Sequence, residues 1–131
     1  MQQQLSQINQ NINNMNINTI NNQELKFKDG KYIGQVVNGV PEGKGIWYGD
    51  NGARYEGDWR NGKKEGKGIF YYNDGDRYEG DFRTDNREGK GIYYYSNGER
   101  MMGDYSNDEP IGKHAILTEN GEVKLSNYEI K

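Results

Sequence analysis

A phrase of 23 residues, spoken four times without an insertion or deletion, decides most of what this chain can fold into. Residues 55–68 read YEGDWRNGKKEGKG and residues 78–91 read YEGDFRTDNREGKG. Laid out at that period, Tyr32, Tyr55, Tyr78 and Met101 begin successive units. Gly34, Gly57, Gly80 and Gly103 follow two residues later, then Val36, Trp59, Phe82 and Tyr105. The second half of each unit carries Gly43-Lys44-Gly45, Gly66-Lys67-Gly68, Gly89-Lys90-Gly91 and, altered, Gly112-Lys113-His114. An apolar run and a closing turn glycine (Gly52, Gly75, Gly98, Gly121) end each unit. A fixed period of this length is the mark of a repeat architecture, in which each unit buries its apolar face against its neighbours.

Each unit holds two strand signals. In RYEGDW (54–59), Tyr55, Gly57 and Trp59 fall on one face and Glu56 and Asp58 on the other. GIFYY (68–72) is aromatic and β-favouring. The intervening RNGKKEGK reads as a polar hairpin loop, and NDGDR as the turn to the next unit. The expectation is one elongated antiparallel sheet of tandem hairpins, all-β, about 40 Å long for four units. Only 31% of the chain is hydrophobic, but it has 11 Tyr and 19 Gly, so burial must come from rings laid on a sheet. Glycine lets a ring from an adjacent strand lie over the backbone. Tyr55, Trp59, Phe70 and Tyr72 are the candidates, and alanine at Gly57, Gly66 or Gly68 should cost more than a propensity scale suggests.

These residues closely resemble the MORN repeat (membrane occupation and recognition nexus). The pattern is Y-E-G-D-W-x-N-G-x-x-x-G-K-G-x-x-x-Y at 23-residue spacing, carried by Tyr32, Gly34, Tyr55, Gly57, Trp59, Gly66, Gly68, Tyr78, Gly80, Phe82, Gly89 and Gly91. The units are 32–54, 55–77, 78–100 and a degenerate 101–123, within an array from 24 to 123, with 124–131 as a last strand or tail. The fourth unit, with Met101, His114 and Ala115 in place of Tyr, Gly and Ile, reads as a terminal cap. The resemblance implies a non-enzymatic scaffold or adaptor. It also implies cytoskeletal assemblies, ciliary axonemes among them, as a setting, and anionic phospholipid as an alternative partner.

Catalytic constellations are lacking. The single histidine, His114, has no partners for a triad or zinc site and reads as packing. Glu56, Asp58, Glu79, Asp81 and Asp104 recur with the repeat on the face away from the rings, as a solvated sheet face does. The Gly-Lys-Gly triplets stand at strand starts, whereas a phosphate loop is longer and opens a helix. No enzyme, cofactor or metal is expected. A net charge of −3 without a basic stripe argues against nucleic acid. For a lipid surface the candidates are Lys63, Lys64 and Lys67, a small cluster. The absence of cysteine, of a basic-then-apolar leader and of any 20-residue apolar stretch reads as a cytoplasmic protein.

The second strands are apolar on both faces. Ile46, Ile69 and Ile92 form one ladder at the repeat period, Tyr48, Tyr71 and Tyr94 another. A one-layer sheet cannot bury both faces, so Tyr48, Ile69, Tyr71, Ile92 and Tyr94 are candidate contacts for other proteins of a multi-subunit assembly. Exposed edges at both ends allow a homodimer. Residues 1–23 form a separate extension with 14 Asn or Gln and no charge. Within it Leu5, Ile8, Ile12 and Met15 make a stripe at helical spacing, a second candidate anchor.

Overall fold

The computed structural model describes residues 19–129, all of them in one antiparallel sheet and its turns. Ten strands run in chain order: β1 Thr19–Phe27, β2 Gly30–Val37, β3 Val40–Gly49, β4 Arg54–Arg60, β5 Lys63–Tyr71, β6 Arg77–Arg83, β7 Asn86–Tyr94, β8 Arg100–Ser106, β9 Glu109–Leu117 and β10 Val123–Tyr128. Each pairs only with its sequence neighbours. The expected all-β array of hairpins is therefore the fold. β1 starts at Thr19, inside the stretch read as extension, and β10 makes the last strand out of 124–128 together with Val123. The stripe Leu5, Ile8, Ile12 and Met15 lies outside the described residues.

The hairpins are tighter than the sequence suggests. Lys63-Lys64-Glu65-Gly66-Lys67 belongs to β5, and the loop between β4 and β5 is only Asn61-Gly62. Both turn residues have positive φ, 52° and 80°, as a type I′ turn requires. Asn38-Gly39, Thr84-Asp85 and Asn107-Asp108 repeat it. The long polar run misleads because one face of an exposed strand can be wholly polar. A β-bulge falls in each unit, as between Gly57 and Trp59, opposite a column of glycines that includes Gly66 at φ 87°.

All burial sits on one face. Tyr32, Tyr55 and Tyr78 are fully buried, and each lies flat on the glycines of its own hairpin. A Cβ on Gly68 would fall inside the Tyr55 ring, and one on Gly91 inside that of Tyr78. The ring over Gly57 thus comes from its own strand, from Tyr55, rather than from a neighbour as expected. Each hydroxyl donates to a carbonyl three residues on: Tyr32 to Gln35 (2.6 Å), Tyr55 to Asp58 (3.0 Å), Tyr78 to Asp81 (3.0 Å). Trp59 stands edge-on between Tyr32 (5.1 Å) and Tyr55 (5.2 Å), and Phe82 between Tyr55 (4.9 Å) and Tyr78 (5.2 Å). Phe70, Tyr72, Tyr93 and Tyr95 pack on that layer and do not themselves cover the glycines. Every buried ring contributes roughly 1.5–3 kcal/mol, and each touches two units, so the units are stable only together.

The fourth unit solves the same problem from the other strand. Met101 supplies no flat ring, and the His114 imidazole, 1% exposed, takes the space instead. It lies 2.5 Å from where a Cβ on Gly103 would be. Its Nε2 is 2.9 Å from the carbonyl of Asp104, the counterpart of the tyrosine acceptors Asp58 and Asp81. A carbonyl only accepts, so Nε2 carries the proton and donates. Loss of the tyrosine and gain of the histidine are one exchange, and the sheet continues through it.

Candidate functional site

The opposite face is open. Three rows of side chains cross it, fixed by the pairing register. The middle row runs Ile33, Ile46, Glu56, Ile69, Glu79, Ile92, Met102 and Ala115, strand after strand. One flank runs Lys31, Tyr48, Arg54, Tyr71, Arg77, Tyr94 and Arg100. The other carries lysine–aspartate pairs: Lys44 with Asp58, Lys67 with Asp81, and Lys90 with Asp104 at 3.3 Å. The expected ladders of isoleucine and tyrosine are present on this face, but neither is continuous. Glu56 and Glu79, from the first strands of the second and third hairpins, separate Ile46, Ile69 and Ile92, and Arg54 and Arg77 separate Tyr48, Tyr71 and Tyr94. The period-23 reading placed Glu56 and Glu79 on this face but missed that they, and the arginines, alternate with the ladders, because they come from the other half of the unit. Pairing the two strand signals of each unit in register would have found them.

The arginines change what the tyrosines can do. The Arg54 guanidinium lies 4.1 Å from the Tyr71 ring centre and that of Arg77 3.8 Å from Tyr94. Each is a cation–π contact of about 0.5–1 kcal/mol where solvent reaches it. Tyr71 and Tyr94 are half-buried beneath these stacks, and Tyr48 is half-buried with Lys31 5.7 Å from its ring centre. Along the other flank, burial pushes the Asp58 carboxyl up, but hydrogen bonds from the Lys44 ammonium and the Lys67 N–H outweigh it and hold the group below its ordinary range. Between the two flanks lies an open trough of about 760 Å³ across β4 to β8. Ile69, Ile92 and Met102 are its apolar ribs, Glu56 and Glu79 stand between them, and the glycine backbones make its floor.

The three lysines named for lipid do not form a patch. Lys63 and Lys64 both face Asp85, at 3.9 and 3.6 Å, and Lys67 pairs with Asp81. Lys64 stands on the ring face, over Tyr55 and Phe70. Among the described residues no group of three or more His, Asp or Glu side chains is placed to hold a metal.

A one-layer sheet of tandem hairpins, with its structural rings on one face and a mixed-charge trough on the other, defines a repeat module. The MORN repeat family model matches residues 32–54, 55–77 and 78–100, just over half of the chain. The chain belongs to the MORN-repeat family, whose repeats are non-enzymatic modules for protein interaction or membrane binding. The match stops at residue 100, where Met101 and His114 exchange roles, although β8 and β9 keep the hairpin geometry. A comparison with curated proteins returned no match.

Proposed function

We propose that this chain is a structural scaffold or adaptor and that the trough is where it holds an extended segment of another protein. The trough itself carries the reading. It spans five strands, roughly 19 Å at ~4.8 Å per strand, enough for about six extended residues. Its ribs offer apolar seats between charges of both signs, which suits a polypeptide better than a uniformly anionic bilayer. Pairing of Lys63, Lys64 and Lys67 with carboxylates favours this over the peripheral-membrane alternative. The setting it implies is a multi-subunit assembly in the cytoplasm. A cytoskeletal or ciliary axonemal one is suggested by family resemblance alone.

The test is comparative capture from the native source by the full chain, by Ile69→Ser/Ile92→Ser, and by a chain lacking residues 1–18. The double variant removes two ribs and touches no buried ring, so its circular dichroism should be unchanged. A defined set of proteins held by the full chain and lost by the double variant supports the trough. If the double variant keeps that set, the trough is not the docking surface. Flotation with anionic vesicles that needs Lys63, Lys64 and Lys67 would install the lipid reading instead.

A further inference from the structure

The second and third units each hold a cation of their own on the ring face. In the third unit, Arg87 lies over Tyr78, Tyr93 and Tyr105, at 5.7, 6.0 and 5.0 Å from their centres. Its Nε donates to Asp108 at 2.8 Å. In the second unit, Lys64 lies over Tyr55 and Phe70, at 5.7 and 5.5 Å, and faces Asp85. Stepping back one period, the cation is replaced by Pro41 and its acid by Gly62. The backbone there is unchanged: the Gly62 N–H donates to the Pro41 carbonyl at 2.9 Å, as Asp85 does to Lys64 and Asp108 to Arg87, both at 3.0 Å. The rings, however, are kept and enlarged. Tyr32, Trp47 and Trp59 stand where Tyr78, Tyr93 and Tyr105 surround Arg87.

The result is a pocket of about 440 Å³, with Tyr32 at its floor and Phe27, Trp47, Trp59 and Pro41 as walls. Phe27 meets Trp47 edge-on at 5.6 Å, and the Trp59 indole is pinned by donation to the Gly45 carbonyl at 3.0 Å. Asp29, Asp85 and Lys64 complete its lining with Gly62, the Lys64 ammonium being neutralised by Asp85 at 3.6 Å. Asp85 is engaged by Lys63 and Lys64, and the Asp29 carboxylate lies outside those ion pairs. The fourth unit also has a proline, Pro110, but there Met101 and Ile116 replace the rings and the Tyr128 hydroxyl closes on the Met101 sulfur at 3.1 Å. Only the first unit combines a missing cation with a full set of rings.

We infer that this pocket receives an arginine side chain presented by a partner polypeptide, its guanidinium taking the place that Arg87 fills from within in the third unit. Tryptophan is the strongest ring for such a contact, and a flat guanidinium both stacks and bonds to a rim carboxylate. The site is on the face opposite the trough and stands or falls independently of it.

The chain has two tryptophans, and both line this pocket, so their two indole N–H resonances report on it alone. The full chain, labelled with nitrogen-15, is titrated with acetyl-Gly-Arg-Gly-amide and with the same peptide carrying citrulline, the neutral isostere of arginine. The arginine peptide should move both indole signals saturably, with a dissociation constant on the order of millimolar. Citrulline should bind roughly fivefold more weakly or worse. Pro41→Arg/Gly62→Asp rebuilds the internal pair that units two and three already use, and should abolish the response. Phe27→Ala, at a half-exposed rim ring, should weaken it while leaving the fold intact, and serves if the double variant does not fold. Equal shifts from the two peptides, no saturable shift, or an undiminished response in both variants would overturn the assignment.

Discussion

The exchange of Met101 and His114 can be tested by reversing it. Met101→Tyr/His114→Gly restores the arrangement of the preceding units. Alone, His114→Gly removes a 1% exposed ring, its hydrogen bond to Asp104, and edge-on contacts with Tyr105 (5.5 Å) and Tyr128 (5.0 Å). The hydrogen bond is worth ~0.5–1.5 kcal/mol and each ring contact a similar amount, so with the cavity left behind the loss is about 3 kcal/mol. Met101→Tyr alone drives a second ring into space that His114 fills, at roughly 1–3 kcal/mol. Together, tyrosine should lie over Gly103 and the new glycine and donate to Asp104, as Tyr78 does to Asp81. The double variant should then fall within ~1 kcal/mol of the starting protein, a coupling of about 3 kcal/mol. It also removes the buried His114 Nδ1, which has no hydrogen-bond partner among the described residues. Because an end unit can open without the rest, the readout is amide hydrogen exchange in β8 and β9, supported by the urea midpoint of the whole chain. Costs that add to within ~0.5 kcal/mol would refute the exchange and leave His114 as unrelated packing.

Two further outcomes follow from the ring face and the turns. Burial raises the Tyr32 hydroxyl to about 12, with Glu42 adding to it, and raises those of Tyr55, Tyr78 and Tyr105 further. In the unfolded chain tyrosine ionises near pH 10, so above that pH the unfolded state holds fewer protons and stability falls as pH rises toward 12. Absorbance of tyrosinate at 295 nm should therefore show a steep step coincident with loss of the sheet signal; full ionisation near pH 10 with the sheet intact would contradict the packing. At the third unit's turn, Thr84 has φ 48°, where Asn38, Asn61 and Asn107 stand in the other units. Thr84→Asn should raise stability by about 0.5–1 kcal/mol in urea denaturation, since a β-branched residue fits that conformation poorly and asparagine does not.

What was legible in the sequence was everything governed by the period. Tyr55, Gly57 and Trp59 share a face because strands alternate, and four copies in register leave one way to lay out the sheet. What escaped were relations between the halves of a unit. Arg54 and Tyr71 are 17 residues apart in sequence, yet the Asn61-Gly62 turn sets them directly opposite. The turn itself was hidden in a polar run, because Lys63, Glu65 and Lys67 look like loop and are strand. The replacement of tyrosine by Met101 read only as the mark of a terminal cap, since nothing in a single column shows that His114 has taken the vacated space. For the trough, the isoleucines and the glutamates of that face were visible, but not the register that sets Glu56 and Glu79 between isoleucines or the arginines between tyrosines.

The division of labour between the faces bears on how such a chain can change. Tyr55 and Tyr78 are held by glycines beneath them and by rings from two units, so a substitution on that face disturbs several neighbours at once. Successive turns are tied as well: the backbone N–H groups of Asn61, Thr84 and Asn107 donate to Glu42, Glu65 and Glu88 of the preceding unit, at 2.6, 2.8 and 2.8 Å. None of these contacts uses the trough's ribs Ile69, Ile92 or Met102. These ribs can therefore be replaced at little cost to the fold, beyond what an exposed strand side chain contributes, ~1 kcal/mol or less. Because the ring face secures the sheet, the trough face is left open to selection by whatever binds there. The preference of a partner held in the trough should then be written in the residues at 56, 69, 79, 92 and 102, while the tyrosine and glycine columns keep the array standing.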